Sequence, residues 1–332
     1  MLVAVSDSVF PNLEPARQVL APIGAELRVA GEATPEAIVA VSASADALLV
    51  TYAKITAEMI QQMPRCRIIS RFGIGVDNVD LAAATSAGIV VTKVPDYCID
   101  EVSDHTLALL LALIRKIPSS SARTHAGRWE MKAVVPIHRL RGSTLGLVGF
   151  GRIPQLVAPK AKSFGMKVVA CDPFVAEEVF TRAGVDRVEF AELLKTSDYV
   201  SVHSPLLPET RGLFGAATLG QMKRGAYLVN TARGPIVDEA ALAEALDAGQ
   251  LAGAALDVMT QEPPPPSPLF GRDNVIITPH TSFYSEESLV ELQVKAAEEV
   301  VAVLSGRAPR NPVNPEVLLA SGKFEVQSSR SK

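Results

Sequence analysis

The sequence has little cysteine, few aromatic residues and no long apolar run. Its 332 residues include three cysteines and one tryptophan, and 5% of them are aromatic. Three widely spaced cysteines fit neither a disulfide framework nor a zinc site, and they favour a reducing compartment. The N-terminal residues lack the basic start and the cleavage site of a secretion signal, and no apolar stretch is long enough to cross a bilayer. We therefore expect a cytoplasmic protein without a membrane partner or a bound metal.

Neither sign of charge dominates. The chain carries 32 Lys and Arg against 36 Asp and Glu, so its net charge is −4, and the two signs are interspersed. A basic stripe that could follow nucleic-acid phosphates is missing, which argues against nucleic acid as a direct partner. With 48% hydrophobic residues the chain can bury an ample core. Its length predicts two domains.

Short apolar runs alternate with helical segments in two series along the chain. The first series holds the runs "LVAVS", "ALLVTY", "CRIISRF" and "GIVVTKVP". The second holds six runs: "STLGLVGFGR", "MKVVACDP", "YVSVHSPL", "AYLVNTAR", "LAGAALDV" and "NVIITPH". A long apolar helix, Glu101 to Lys116, separates the two series, and an amphipathic helix, Glu286 to Leu304, follows the second. This alternation predicts an α/β protein with two doubly wound parallel sheets.

A glycine motif marks the first turn of the second series. The segment "GLVGFGRIP" places Gly149 and Gly151 at the first two positions of the glycine fingerprint for dinucleotides. The first glycine permits a tight turn, and the second lets the backbone approach a pyrophosphate, whose charge would meet the amides of Arg152 and Ile153 at a helix N-terminus. Pro154 replaces the third glycine, which is tolerable because a proline in the first helical turn loses no intrahelical hydrogen bond.

Asp172 follows the next strand, where a carboxylate accepts hydrogen bonds from the adenosine ribose. The same carboxylate would repel a 2′-phosphate, and the next residues, Pro173 and Phe174, supply no arginine to receive one. These residues therefore predict NAD rather than NADP. An ordinary strand-turn-helix unit stays the alternative interpretation of two glycines and an aspartate.

Several longer segments resemble the D-isomer-specific 2-hydroxyacid dehydrogenases. They are "RFGIGVDNVDLAAATSAGIVV", "LVNTARGPIVDEAAL", "AALDVMTQEPPPPSPLF" and "NVIITPHTSFYSEES". The resemblance runs nearly the whole chain and includes the order of the motifs. Within the family, "TPHTSFYSEES" and "DEVSDHTLAL" look closest to the branch of the C-terminal-binding protein corepressors, while "RFGIGVDNVD" also resembles phosphoglycerate dehydrogenases. The resemblance implies a Rossmann NAD-binding domain, residues 100–283, inserted into a flavodoxin-like catalytic domain of residues 1–99 and 284–332, with substrate in the cleft.

In that family an arginine, a glutamate and a histidine act together, and they match Arg233, Glu262 and His280. The guanidinium of Arg233 could pair with a substrate carboxylate. His280 would give a proton to the developing alkoxide in reduction and remove it in oxidation. Glu262 would orient the imidazole and stabilise its charged form. Singly, the three could be a surface arginine, a solvated acid and a strand-end cap, but all follow predicted strands, at the sheet edge where such folds bind ligands.

The resemblance implies further contacts. For the nicotinamide half of the cofactor it implies Thr106, Pro205, Thr231 and Asp257. For the substrate it implies Phe283, besides Arg233, and the backbone amides of a glycine loop, Gly73, Ile74 and Gly75. The other histidines, His105, His125, His138 and His203, have no partner motif and are weaker candidates.

Three functions follow from this pattern. The main prediction is an NAD-dependent oxidoreductase that interconverts a small 2-keto acid and the D-2-hydroxy acid, because the Arg-Glu-His set is intact. A D-3-phosphoglycerate dehydrogenase is the first alternative, with Arg71 meeting the phosphate, although "VPDYCID" departs from the loop usual in those enzymes. An NAD-sensing binding protein like the corepressors is the second. Segment Ser119 to Arg141 resembles the family's dimerisation region, so we expect a homodimer.

Overall fold

The computed structural model describes residues 1–321 of the chain. They form two compact units. The first consists of Met1–Tyr97 together with the segment that begins at Ser285, and the second is Cys98–Tyr284. The borders expected from the sequence lie after residues 99 and 283.

Helices and strands alternate along both units. The strands are β1 (Leu2–Val5), β2 (Glu26–Val29), β3 (Ala47–Val50), β4 (Ile68–Arg71), β5 (Val90–Thr92), β6 (Thr144–Val148), β7 (Lys167–Cys171), β8 (Asp186–Arg187), β9 (Tyr199–Val202), β10 (Ala226–Asn230), β11 (Leu251–Leu256) and β12 (Val275–Ile277). The α-helices are α1 (Glu14–Leu20), α2 (Pro35–Ser42), α3 (Ala57–Gln61), α4 (Leu81–Ser86), α5 (Ile99–Ile114), α6 (Ile117–His125), α7 (Arg152–Ser163), α8 (Glu177–Ala183), α9 (Phe190–Thr196), α10 (Ala216–Gln221), α11 (Glu239–Asp247), α12 (Glu286–Leu304) and α13 (Glu316–Ser321). Short 3-10 helices lie at Ala21–Ile23, Met131–Val134 and Gly234–Ile236.

Polar side chains set where several helices begin. The Asp80 carboxylate accepts the N–H of Ala83 at the start of α4, and the Asp238 carboxylate accepts N–H groups at the start of α11. Ser285 and Ser288 cap each other reciprocally at the start of α12. Such caps satisfy N–H groups that have no partner within the helix.

The first unit contains a five-stranded parallel sheet in the order β2-β1-β3-β4-β5. This is the flavodoxin-like order. Helix α12 packs on the sheet, where Ser70 Oγ donates to the carbonyl of Ala296 over 3.0 Å. The helix that follows the second series along the chain therefore completes the core of the first unit.

The second unit contains a seven-stranded parallel sheet in the order β12-β11-β10-β9-β6-β7-β8. Consecutive strand residues face separate apolar clusters: Leu228 packs with helices α10 and α11, and Val229 packs with α5 and α7. Both faces of the sheet are therefore covered, as parallel sheets require. The strand order reverses between β6 and β9, and ligands bind at such a switch point, beyond the carboxyl ends of the strands.

The predicted fold class is confirmed, with two strands more than expected. The four apolar runs of the first series predict four strands, whereas β2, in which only Leu27 is buried, adds a fifth to the first unit. Six apolar runs predict six strands in the second unit, whereas β8 adds a seventh at the edge. It has two residues, Asp186 and Arg187, and both are exposed, so it lacks the apolar pattern that predicts a strand. Within residues 1–321, no helix combines the length and the apolar character that a membrane crossing needs.

Candidate active site

The glycine turn after β6 is shaped for a close approach by another group. Gly149 has a φ of +93°, and a Cβ added to it would lie 2.9 Å from the backbone of His203 and Ser204. Only glycine fits there. A Cβ added to Gly151 would meet no described atom within 4 Å, so there is open space above this residue.

Helix α7 begins directly behind this space. Its N-cap is Gly151, which has no side chain to accept the first N–H groups, and its first two residues are Arg152 and Ile153. Backbone N–H groups at this position have no partner within the helix and attract anions. The hydroxyl of Ser204, next to the glycine turn, is buried and has no hydrogen-bond partner within residues 1–321. Both features fit a bound pyrophosphate.

Asp172 ties this turn to the loop after β7. One carboxylate oxygen accepts the N–H of Phe150 over 2.8 Å, and the other accepts the N–H of Phe174 over 2.9 Å. A carboxylate offers about four acceptor positions, so about two are left for ribose hydroxyls. The turn, the helix start and this acid together fit the dinucleotide that the sequence predicts.

Arg233 follows β10, and the side chain of Asn230 holds the backbone at this position. Asn230, fully buried, donates from Nδ2 to the carbonyl of Arg233 over 2.9 Å and accepts the N–H of Ala232 over 3.0 Å. The next residue, Gly234, packs so closely on the loop after β11 that an added Cβ would lie 2.0 Å from the carbonyl group of Met259. This close approach brings Arg233 beside the loop that carries Glu262.

Glu262 and His280 are directly hydrogen-bonded. His280 Nδ1 lies 2.6 Å from Glu262 Oε2, while Glu262 Oε1 accepts the N–H of Met259 over 2.9 Å. Burial alone would raise the pKa of Glu262, but the hydrogen bond and charge of His280, the Met259 N–H and the charge of Arg233 hold it below its usual value. The carboxylate therefore stays ionised. Because Nδ1 faces it, Nε2 is the atom of His280 that can exchange a proton with another molecule.

Asp257 shapes the loop on which His280 lies. Its carboxylate is buried and accepts hydrogen bonds from Thr278 Oγ1 over 2.6 Å and from the N–H groups of Thr281 and Ser282, each over 2.9 Å. The N–H of His280 donates to the Asp257 carbonyl over 2.8 Å. The sequence predicts Asp257 only as a cofactor contact, and the structure adds this second role.

The remaining predicted residues of the second unit lie near the ends of its strands or in α5. Thr106 and Thr231 are both buried, and their hydroxyl oxygens lie 3.0 Å apart. Pro205, which is exposed, follows β9. The rings of Phe283 and His280 meet edge to face, with centroids 6.1 Å apart. The structure thus brings Phe283 to the candidate proton carrier, while contact of these residues with ligand stays a prediction.

The glycine loop of the first unit follows β4. Gly73 has a φ of +149°, and a Cβ added to it would lie 1.2 Å from an Nη atom of Arg71. This glycine therefore makes room for the side chain of Arg71, which is buried. A contact of Gly73, Ile74 and Gly75 with substrate stays a prediction.

Two residues support the site although the sequence predicts no such role for them. Asn230 shapes the Arg233 loop, and His105, in α5, has its Nε2 3.1 Å from Thr278 Oγ1. His203, by contrast, is only a packing residue: burial lowers its pKa to about 3, and its Nε2 meets Ser201 Oγ over 2.9 Å. Across residues 1–321, His, Cys, Asp and Glu form no group of three that could hold a metal ion.

Comparison with known proteins bears on the same region. Residues 107–282 match the sequence model of the D-isomer specific 2-hydroxyacid dehydrogenase family, NAD binding domain. A D-3-phosphoglycerate dehydrogenase of Methanocaldococcus jannaschii is 40% identical over 306 residues, which are 92% of this chain and 58% of that protein. The chain therefore spans less than two thirds of the length of this relative.

Solved structures match over nearly the whole chain. A protein of Thermus thermophilus is 39% identical with a TM-score of 0.85, and the match covers 94% of this chain and 100% of that one. A D-lactate dehydrogenase from Aquifex aeolicus, complexed with NAD and lactic acid, is 29% identical with a TM-score of 0.83, covering 99% and 100%.

Proposed function

The chain belongs to the D-isomer-specific 2-hydroxyacid dehydrogenase family, and we propose that it interconverts a small 2-keto acid and the corresponding D-2-hydroxy acid. The cofactor is NAD, as the sequence predicts. The proposal rests chiefly on the 2.6 Å contact between His280 Nδ1 and Glu262 Oε2, in a loop arrangement that also brings Arg233 near. When bound, NAD supplies or accepts the hydride at C2 of the substrate.

The protein's own side chains would bind the substrate and move the proton. Arg233 presents a planar fork of N–H donors that pairs with the carboxylate of a 2-keto acid. In reduction, protonated His280 gives the proton on Nε2 to the oxygen at C2. In oxidation, neutral His280 removes that proton, and the ionised Glu262 stabilises the imidazolium that results.

We assign the cofactor to the carboxyl edge of the seven-stranded sheet. Gly149, Gly151 and the first N–H groups of α7, those of Arg152 and Ile153, would hold the pyrophosphate, and Asp172 would hold the ribose. We assign the nicotinamide half of the cofactor to Thr106, Pro205, Thr231 and Asp257. Phe283 would face the substrate, and the proposal for Gly73, Ile74 and Gly75 rests on the family resemblance alone.

D-3-phosphoglycerate is a second candidate substrate. It is favoured by the 40% identity to a D-3-phosphoglycerate dehydrogenase. Arg71, buried at the end of β4, is the side chain that we would assign to the phosphate. This chain spans 58% of that relative, so its activity has to be tested directly.

One assay separates the two substrates. We would follow NADH and NADPH oxidation with glyoxylate, hydroxypyruvate, pyruvate and 3-phosphohydroxypyruvate. Reduction of an unphosphorylated keto acid with NADH supports the main proposal, and a strong preference for 3-phosphohydroxypyruvate supports the alternative. Tight NADH binding without turnover of any of them would contradict both and favour an NAD-sensing binding protein.

We further propose that segment Ser119 to Arg141 pairs two copies of the chain. No residue of α6 is buried within the described part of the chain. Downstream, Trp129 is 91% exposed and Met131 74% exposed, and such apolar exposure is typical of a protein interface. Light scattering should show a dimer that Trp129→Glu weakens, whereas Phe164→Glu, at an exposed aromatic outside the segment, should not. A wild-type monomer would contradict the proposal.

We place the protein in the cytoplasm. Cys66 and Cys171 are free thiols, which fits a reducing compartment. Fractionation of cells that express the chain would test this, and recovery in a secreted fraction would contradict it.

A further inference from the structure

A second histidine lies behind the loop that carries His280. His105 Nε2 is 3.1 Å from Thr278 Oγ1 and 3.6 Å from Asp257 Oδ1. Thr278 Oγ1 lies 2.6 Å from the same Asp257 oxygen. Since an ionised carboxylate only accepts, the Thr278 hydroxyl donates to Asp257 and accepts from the N–H of His105. The three side chains form one directed chain of hydrogen bonds.

This chain ends on the backbone around His280. Besides Thr278, the Asp257 carboxylate accepts the N–H groups of Thr281 and Ser282. Between these partners, His280 has a φ of +53°, a left-handed conformation that is unfavourable for a residue with a Cβ. The loop needs external partners to stay in that conformation, and the Asp257 carboxylate supplies them.

The orientation of Asp257 depends in turn on the groups around it. Its side chain is completely buried, whereas that of His105 is 25% exposed. A buried carboxylate is stable only when hydrogen bonds surround it. Thr278 provides one of these bonds, and His105 fixes the direction of the Thr278 hydroxyl. Loss of either group would weaken the hold on the carboxylate and leave the N–H groups of Thr281 and Ser282 as its described partners.

We propose that His105 is a positioning residue for the reaction, acting through Thr278 and Asp257 to hold the His280 loop in its left-handed conformation. The inference rests on the proposed function, because it gives His280 the role of proton carrier. His105 itself touches neither Glu262 nor His280 in the contacts described above. Its effect is on the direction of the imidazole.

Matched substitutions distinguish the effect of the hydrogen bonds from the effect of side-chain volume. Thr278→Val removes the hydroxyl at nearly constant shape, and Thr278→Ser keeps it. His105→Phe removes the N–H, and His105→Gln restores a donor. We expect the first member of each pair to lower kcat on the order of tenfold or more, because small misplacements of a catalytic group are costly. The KM for the keto acid should change little, and the second member should recover most of the lost kcat.

The double variant Thr278→Val with His105→Phe tests whether the two residues act as one chain. Residues in one network give a combined loss smaller than the product of the single losses. Independent losses that multiply would contradict the proposal, and so would equal losses of kcat in Thr278→Ser and Thr278→Val.

Hydrogen exchange provides a readout that needs no substrate. The N–H groups of Thr281 and Ser282 donate to Asp257, so their exchange should accelerate at least several-fold in Thr278→Val and His105→Phe, with the remaining amides unchanged. Wild-type exchange rates in both variants would overturn the inference. Failure of the wild-type protein to reduce any keto acid would instead overturn the proposed function, while this exchange test would still stand.

Discussion

Replacing Glu262 by glutamine should slow both the oxidation of the hydroxy acid and the reduction of the keto acid. In the wild type, one carboxylate oxygen accepts from Met259 N–H and the other faces His280 Nδ1. A glutamine that keeps its oxygen on Met259 turns its NH2 group towards Nδ1. Nδ1 must then accept, so the proton of the neutral imidazole moves to Nε2. A neutral histidine in that tautomer cannot remove a proton at Nε2, and giving up its Nε2 proton would leave an imidazolate, so it serves neither direction.

The size of the effect follows from the bond that is lost. A hydrogen bond to a charged group contributes about 1.5–3 kcal/mol, against about 1 kcal/mol for a neutral one. The difference of about 0.5–2 kcal/mol corresponds to a loss of roughly 2- to 30-fold in kcat/KM for reduction. Because a catalyst leaves the equilibrium constant of the reaction unchanged, kcat/KM for oxidation should fall by the same factor at the same pH.

Initial rates in both directions, measured at one pH with the same enzyme preparation, would show the loss. Glu239→Gln is the matched control, because the Glu239 carboxylate accepts a single N–H, that of Thr260, over 2.6 Å, and an amide oxygen can replace it. No loss in Glu262→Gln, or an equal loss in Glu239→Gln, would refute the reasoning about the Nδ1 contact.

Three further changes test other parts of the site. Gly234→Ala should abolish turnover, because its Cβ would lie 2.0 Å from the Met259 carbonyl. The control Gly220→Ala should be tolerated, because a Cβ there would meet no described atom within 4 Å. Equal activity of the two variants would contradict the close packing. Asp172→Ala should weaken NADH binding at least tenfold in a fluorescence titration. The ribose would lose its hydrogen-bond acceptor, and the N–H of Phe150 in the glycine turn would lose the carboxylate that accepts it. Unchanged binding would remove Asp172 from the cofactor site. The pKa of Glu262 is lowered on folding, so its stabilising contribution is complete above the usual value of 4.5 and is lost as the pH falls below it. In urea unfolding, the stability difference between wild type and Glu262→Gln should therefore shrink between pH 7 and pH values under 4.5, and a constant difference would contradict the shift.

The sequence predicts the fold because the apolar runs are strong and regular. Strands such as β3 and β10 are buried on both faces and read as continuous apolar segments, which is typical of parallel sheets. Strand β8 escapes this pattern because its two residues are exposed. A strand that short is defined by pairing with its neighbour, which only the folded chain shows.

The candidate site is predictable to the extent that local motifs carry it. Gly149 and Asp172 stand at positions that the dinucleotide fingerprint fixes. Asn230 and His105 lie in segments that resemble the family, but the dinucleotide fingerprint gives them no position. The first shapes a turn through its own backbone neighbours, and the second meets Thr278, which lies far along the chain. Contacts between distant segments leave no spacing pattern in a single sequence, so supporting residues of this kind become visible only in the structure.

The most direct test of the central claim follows the hydride itself. We would reduce the preferred keto acid with NADH that carries deuterium on the transferred position of C4, and analyse the product by chiral chromatography and mass spectrometry. We expect the D-2-hydroxy acid with one deuterium atom on C2. An L-2-hydroxy acid, or a product without deuterium at C2, would contradict the proposed reaction.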